Sequence, residues 1–199
     1  MPLLCFAQDV KYNDGLYSIV FQTEKSIEEV YKNSREWIAI NFKSANDVLQ
    51  LDTKEKLIVK GSMSFNLYTG DYVFDYVGDL MLTISIREGR FKVDYEVTQV
   101  ENIEYPGKKE IKNLTFIFYR DLSEEEVLNS KLEAFETAAI KEGWREKKIN
   151  RTKENLIKGN SKDYQQLQRT RTEFESRIAS TFISLEDYIN SSKKDDDDW

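Results

Sequence analysis

Residues Leu80-Met81-Leu82-Thr83-Ile84-Ser85-Ile86-Arg87-Glu88-Gly89-Arg90-Phe91-Lys92-Val93-Asp94-Tyr95-Glu96-Val97 decide the fold class of this chain. Leu80, Leu82, Ile84 and Ile86 alternate largely with polar residues, and so do Phe91, Val93, Tyr95 and Val97. The four residues Arg87-Glu88-Gly89-Arg90 between the two runs supply a tight turn. Successive strand residues point to opposite faces, so this is a hairpin with one buried and one wetted face.

Working outward, Ser26-x-x-Glu29 is a capping box ahead of Ile27, Val30, Tyr31, Trp37 and Ile38, which share one helical stripe and predict a helix from about Ser26 to about Phe42. Leu16 to Phe21 reads as a first strand, opened by the turn residues Asn13-Asp14-Gly15. Val48–Asp52 and Leu57–Phe65 form a further hairpin, with Gly61 marking a bulge or a close backbone approach. Tyr68 to Val77 reads as an aromatic, irregular stretch between Gly70 and Gly78. Tyr105-Pro106-Gly107-Lys108 is a turn, and Leu114–Tyr119 a short strand or a lead into the next helix. A second capping box, Ser123-x-x-Glu126, starts a helix that stops at Gly143. From about Lys162 to Tyr188 a helical seam reads Tyr164, Leu167, Arg171, Phe174, Ile178, Thr181, Leu185, Tyr188, and this helix is expected to lie on the domain or on another helix.

The expected architecture is α+β: a two-layer sandwich of strand, helix, four antiparallel strands and helix, with a C-terminal helical extension. Its divisions are a signal-peptide remnant over 1–8, the α+β domain over 9–143, a charged linker over 144–163, a C-terminal helix over 164–190 and an acidic tail over 191–199.

The chemistry is defined by what is missing. With no histidine and one cysteine, Cys5, the chain has no imidazole base, no Ser-His-Asp or Cys-His arrangement, no internal disulfide and no multi-thiolate zinc site. Asp195 to Asp198 lack the turn glycine and spaced ligands of a calcium loop, and no cofactor is expected. A net charge of -7 disfavours phosphate backbones and anionic lipid surfaces, so neither nucleic acid nor a membrane surface is the expected partner. No run approaches the roughly 20 apolar residues of a membrane span. Leu3-Leu4-Cys5-Phe6-Ala7-Gln8-Asp9 reads as the end of a secretory signal, with cleavage before Gln8, so an exported protein is expected, with a cytoplasmic one as the alternative.

The Ser26-x-x-Glu29 helix with Tyr31 and Trp37-Ile38, the following Ser44-Ala45-Asn46-Asp47-Val48-Leu49-Gln50, and the strand pair around Ile86-Arg87-Glu88-Gly89-Arg90-Phe91 together resemble a domain-of-unknown-function family with a TBP-like fold. That family is found mostly in exported proteins of Bacteroidetes. The resemblance covers about Tyr17 to Val100; it implies a fold and an envelope location, and no activity.

Candidate binding residues are the aromatics Tyr68, Tyr72, Phe74 and Tyr76, the seam residues Phe174 and Ile178, and the C-terminal Trp199. Without a catalytic motif, the first expectation is a non-catalytic interaction module of the bacterial envelope. Its partner would be another protein, self-association through the C-terminal helix included. The alternative is a small-ligand carrier with a pocket between sheet and helices and the Tyr68–Tyr76 aromatics at its mouth.

Overall fold

A computed structural model describes residues 10–13, 15–42, 45–69, 72–102 and 122–191. The signal remnant, the turn at Tyr105–Lys108, the segment Leu114–Tyr119, the acidic run Asp195–Asp198 and Trp199 lie outside the described residues. Strands β1 (Lys11–Asn13) and β2 (Leu16–Gln22) precede helix α1 (Ile27–Asn41) and a single turn, α2 (Ala45–Val48). Strands β3 (Leu49–Asp52), β4 (Lys56–Thr69), β5 (Tyr72–Arg87) and β6 (Arg90–Asn102) follow, then helices α3 (Glu124–Lys141) and α4 (Glu146–Asn190).

The strands form one antiparallel sheet in the order β1-β2-β6-β5-β4-β3. Its register follows the alternation of the sequence. Ile84 faces Val93 and Ile86 faces Phe91, while Thr83 meets Asp94 and Ser85 meets Lys92 on the other face. Gly89 closes this hairpin at a φ of 72°, a left-handed conformation that a side chain disfavours. Leu82, Ile84, Phe91 and Val93 are fully buried beneath Val30, Trp37 and Ile38 of α1 and Phe174, Ile178, Phe182, Leu185 and Ile189 of α4. The result is the two-layer α+β sandwich, with both helices on one face of the sheet.

Both capping boxes form. The Ser26 side chain accepts from the Glu29 amide while the Glu29 carboxylate accepts from the Ser26 amide at 2.9 Å, and Ser123 and Glu126 do the same for α3. These bonds hold the Glu29 and Glu126 carboxyls below their ordinary range. Ser26→Ala is therefore expected to cost about 1 kcal/mol in urea unfolding.

Three expectations are corrected. Tyr68–Val77 is not irregular: the β4–β5 ladder continues to the Thr69–Tyr72 pair. Gly78 sits inside that ladder because a Cβ there would lie 2.9 Å from Val97 Cγ1, so the glycine marks a tight cross-strand contact instead of a break. The stretch 144–163 is not a linker. It is helical from Glu146, making α4 a 45-residue helix, about 67 Å long at 1.5 Å per residue. Its first half pairs antiparallel with α3, where the Asn160 amide donates to Glu124 O and Tyr164 donates to Leu122 O. Lys153–Glu136 and Lys131–Asp163 are ion pairs across the same hairpin. The seam is also shifted: Thr170, Phe182 and Ile189 are buried where Arg171, Thr181 and Tyr188 were expected. No helix among the described residues is long and apolar enough to cross a membrane.

Candidate functional site

Helices α1 and α4 run antiparallel and touch at one end. The Asn33 amide donates to Ile189 O, Tyr188 donates to Glu36, and the Trp37 indole N–H donates to Ser184 Oγ at 3.0 Å. Next to the Trp37–Ser184 contact, α1 and α4 border a cleft of about 350 Å³ above the sheet. Its floor is Met63 of β4, Leu80 and Leu82 of β5 and Tyr95 of β6. Trp37, Asn41 and Phe42 form one wall, and Arg177, Ser180, Thr181 and Ser184 the other.

The walls are where they are for local reasons. Phe42 caps α1 in an extended conformation, its amide bonded to Ile38 O at 2.9 Å, so the chain turns its ring over the sheet. The ring lies above Gly61, where a Cβ would come within 2.7 Å of Phe42 Cε1. The close approach expected at Gly61 is thus made by a wall of the cleft. On the floor, Tyr95 is 3% exposed and its hydroxyl donates to Met63 Sδ at 2.9 Å, a weak acceptor. Burial pushes this phenol up to about 12. At the rim, Arg177 donates from Nη1 to Ser64 O on the β4 edge. Arg169 and Arg171 pair with Glu173 and Glu175, but Arg177 has no carboxylate partner among the described residues. The cleft therefore offers an apolar floor and one aromatic wall, with hydroxyls and one guanidinium converging from α4 on the other side.

The residues singled out from sequence do not meet here. Tyr68 is held against α4: its hydroxyl donates to Glu173 Oε2 at 3.0 Å, its amide donates to Thr170 Oγ1, and the Arg169 guanidinium lies 3.9 Å from its ring centre. Tyr76 is core, stacked on Phe65 at 5.8 Å. Phe74 is half-buried and Tyr72 is 70% exposed, so only the end of the aromatic stripe faces solvent. None of the four lines the cleft, which corrects their placement at its mouth. Phe174 and Ile178 are buried against the sheet, with the Phe174 ring 5.4 Å from that of Phe65, so neither presents a surface to a partner. A helix seam marks burial without saying against what, and here the cover is the chain's own sheet. Sequence reasoning missed Trp37, Phe42, Met63, Tyr95 and Arg177 as one site. The signals present were Gly61 and the small polar series Ser180, Thr181, Ser184 beside the seam.

No protein-family profile matches the chain. No curated protein matches it either. Among solved structures it is similar to a DUF4468 family protein from Bacteroides ovatus, with 15% identity, a TM-score of 0.37, and coverage of 47% of this chain and 58% of that one. It is also similar to a TBP-like protein from Parabacteroides distasonis, with 14% identity, a TM-score of 0.35, and coverage of 51% of this chain and 66% of that one. In each case the chain spans less than two thirds of the structure it resembles. Both are of the kind named by the resemblance in the sequence: a family of unknown function and a TBP-like fold, both from Bacteroidetes. Neither of these proteins is named for an activity.

Proposed function

We propose that this chain is a non-catalytic binding protein that holds a small molecule in the cleft between α1, α4 and the sheet. The observation that carries this reading is the cleft itself: about 350 Å³ with an apolar floor, one aromatic wall from α1 and a polar wall of hydroxyls and a guanidinium from α4. Small-molecule sites are concave, largely apolar and oriented by a small number of polar contacts. The absence of histidine from the sequence, and with it of an imidazole base, favours binding over catalysis. The stretch before Gln8 favours an envelope setting.

A native mass spectrum of the protein isolated gently from its own organism tests this. The expected result is an added mass in the small-molecule range that is absent from Ser180→Trp. This variant puts an indole into the cleft from an exposed helical position, so the fold should survive. A bare wild-type chain under the same conditions contradicts the reading. A chain beginning at Gln8 in that spectrum supports export, and a retained Met1 opposes it.

A second reading, a protein-interaction module, is favoured by the α3–α4 hairpin. Among the described residues its helices pack chiefly on each other there and leave Ile140 73% and Ile157 53% exposed. An added mass of a whole polypeptide, lost on Ile140→Asp with Ile157→Asp, would favour it over the carrier.

A further inference from the structure

We infer that the ligand of the cleft is an amphipathic organic anion, a carboxylate on an apolar body, whose charged end is held by Arg177. This rests on the reading of the cleft as a ligand site and deepens it. Three observations carry it. First, among the described residues the lining includes one cation, Arg177, and no aspartate or glutamate, in a chain whose net charge is -7. Second, Arg177 is bound at Ser64 O through Nη1, which anchors the guanidinium at the rim and leaves most of its five donors for an acceptor. The neighbouring arginines of the same helix are occupied, Arg169 by Glu173 at 3.1 Å and Arg171 by Glu175 at 3.9 Å. Third, the lining behind Arg177 has an apolar part, formed by the half-buried Phe42 and Met63 with the nearly covered Trp37 and Leu80 beneath them. A cationic ligand would find aromatic rings, but it would also meet the Arg177 charge at the rim, where the acid one turn away, Glu173, is already paired with Arg169. A neutral ligand would leave that guanidinium without a counter-charge. A carboxylate satisfies it with a charge-assisted and geometrically matched pair.

Calorimetric titration of the full chain with decanoate, 2-naphthoate and decan-1-ol separates the possibilities. The two acids are expected to bind more tightly than the alcohol. Arg177→Gln is expected to weaken the acids by about tenfold while moving the alcohol by less than about twofold. Arg177→Lys should recover part of the loss, since it restores the charge without the fork. Arg177 is exposed, so these variants are expected to fold as the parent does, and urea unfolding checks it. Preference for decanoate would assign an alkyl body, and preference for 2-naphthoate an aromatic one. If acid and alcohol bind alike, or Arg177→Gln moves them together, the anion inference fails while the cleft stands as a ligand site. If none of the three binds, in wild type or variants, both the inference and the reading beneath it are overturned.

Discussion

Ile178→Asp is expected to unfold this protein or leave it barely folded. Ile178 is 1% exposed and lies one helical turn from both Phe174 and Phe182, which are also buried against the sheet. Truncating a buried aliphatic side chain costs about 2–5 kcal/mol, and placing a carboxylate there adds an unpaired buried charge. The sum is comparable with the whole stability of a typical domain, about 5–15 kcal/mol. In urea the transition midpoint should collapse or vanish. Ile157→Asp, at a 53% exposed position of the same helix, should stay within about 0.5 kcal/mol of the parent. The pair of variants also decides the role of the seam. If Ile178→Asp unfolds like the parent, the second half of α4 is not part of the core, and the seam would be available to a partner after all.

The second large effect is alkaline. The Tyr95 phenol is raised from its ordinary value of 10.0 to about 12 because ionising it would put a charge in the buried floor of the cleft. The sign follows directly. Below pH 10 the phenol is protonated in both folded and unfolded chains, and its contribution is intact. As the pH rises from 10 through about 12, the unfolded chain loses its proton first, and stability falls. At 1.36 kcal/mol for each pKa step, the loss reaches about 3 kcal/mol. Tyr95→Phe removes this dependence and gives up only the bond to Met63 Sδ, expected to cost less than about 1 kcal/mol near neutral pH. Lysine ion pairs also fail in this range, so the measurement is the difference between parent and Tyr95→Phe in urea unfolding at pH 9 to 12. Parallel curves for the two proteins would mean that the phenol is not buried.

How much of this was legible in the sequence differs by element. The hairpin at Leu80–Val97 was readable because burial on one face forces a period of two, and a slip of one residue would invert every side chain. The helix starts at Ser26 and Ser123 were readable because capping is local chemistry, complete within four residues. The first half of α4 was not readable. Its inner face is sparse, with Ile149 and Leu156 half-buried and the polar Asn160 buried in full, so the apolar period fades where α3 supplies the contacts. Phe174 and Ile178 read as an apolar seam on a helix expected to lie on the domain or on another helix, and were also candidates for a partner, because periodicity carries no information about which surface covers it. The Tyr68–Tyr76 stripe misled for a related reason. It begins where α4 crosses the end of β4, so Tyr68 is fastened to that helix, Tyr76 is buried and Tyr72 is left outside. The cleft draws on α1, α4 and three strands, with no shared spacing along the chain. Arg177 is one of three arginines in the second half of α4, with Arg169 and Arg171, and only the pairing of those two sets it apart.

If the space between α1 and α4 is a ligand site, an NMR titration of isotopically labelled protein with decanoate and with decan-1-ol will show it. Saturable shifts are expected for the Met63, Leu80 and Leu82 methyls and the Trp37 indole N–H, while the methyls of Val20 on the outer sheet face and Ile157 on the helical hairpin stay still. Cleft resonances that do not move with either compound, or shifts spread evenly over Val20 and Ile157, would contradict it.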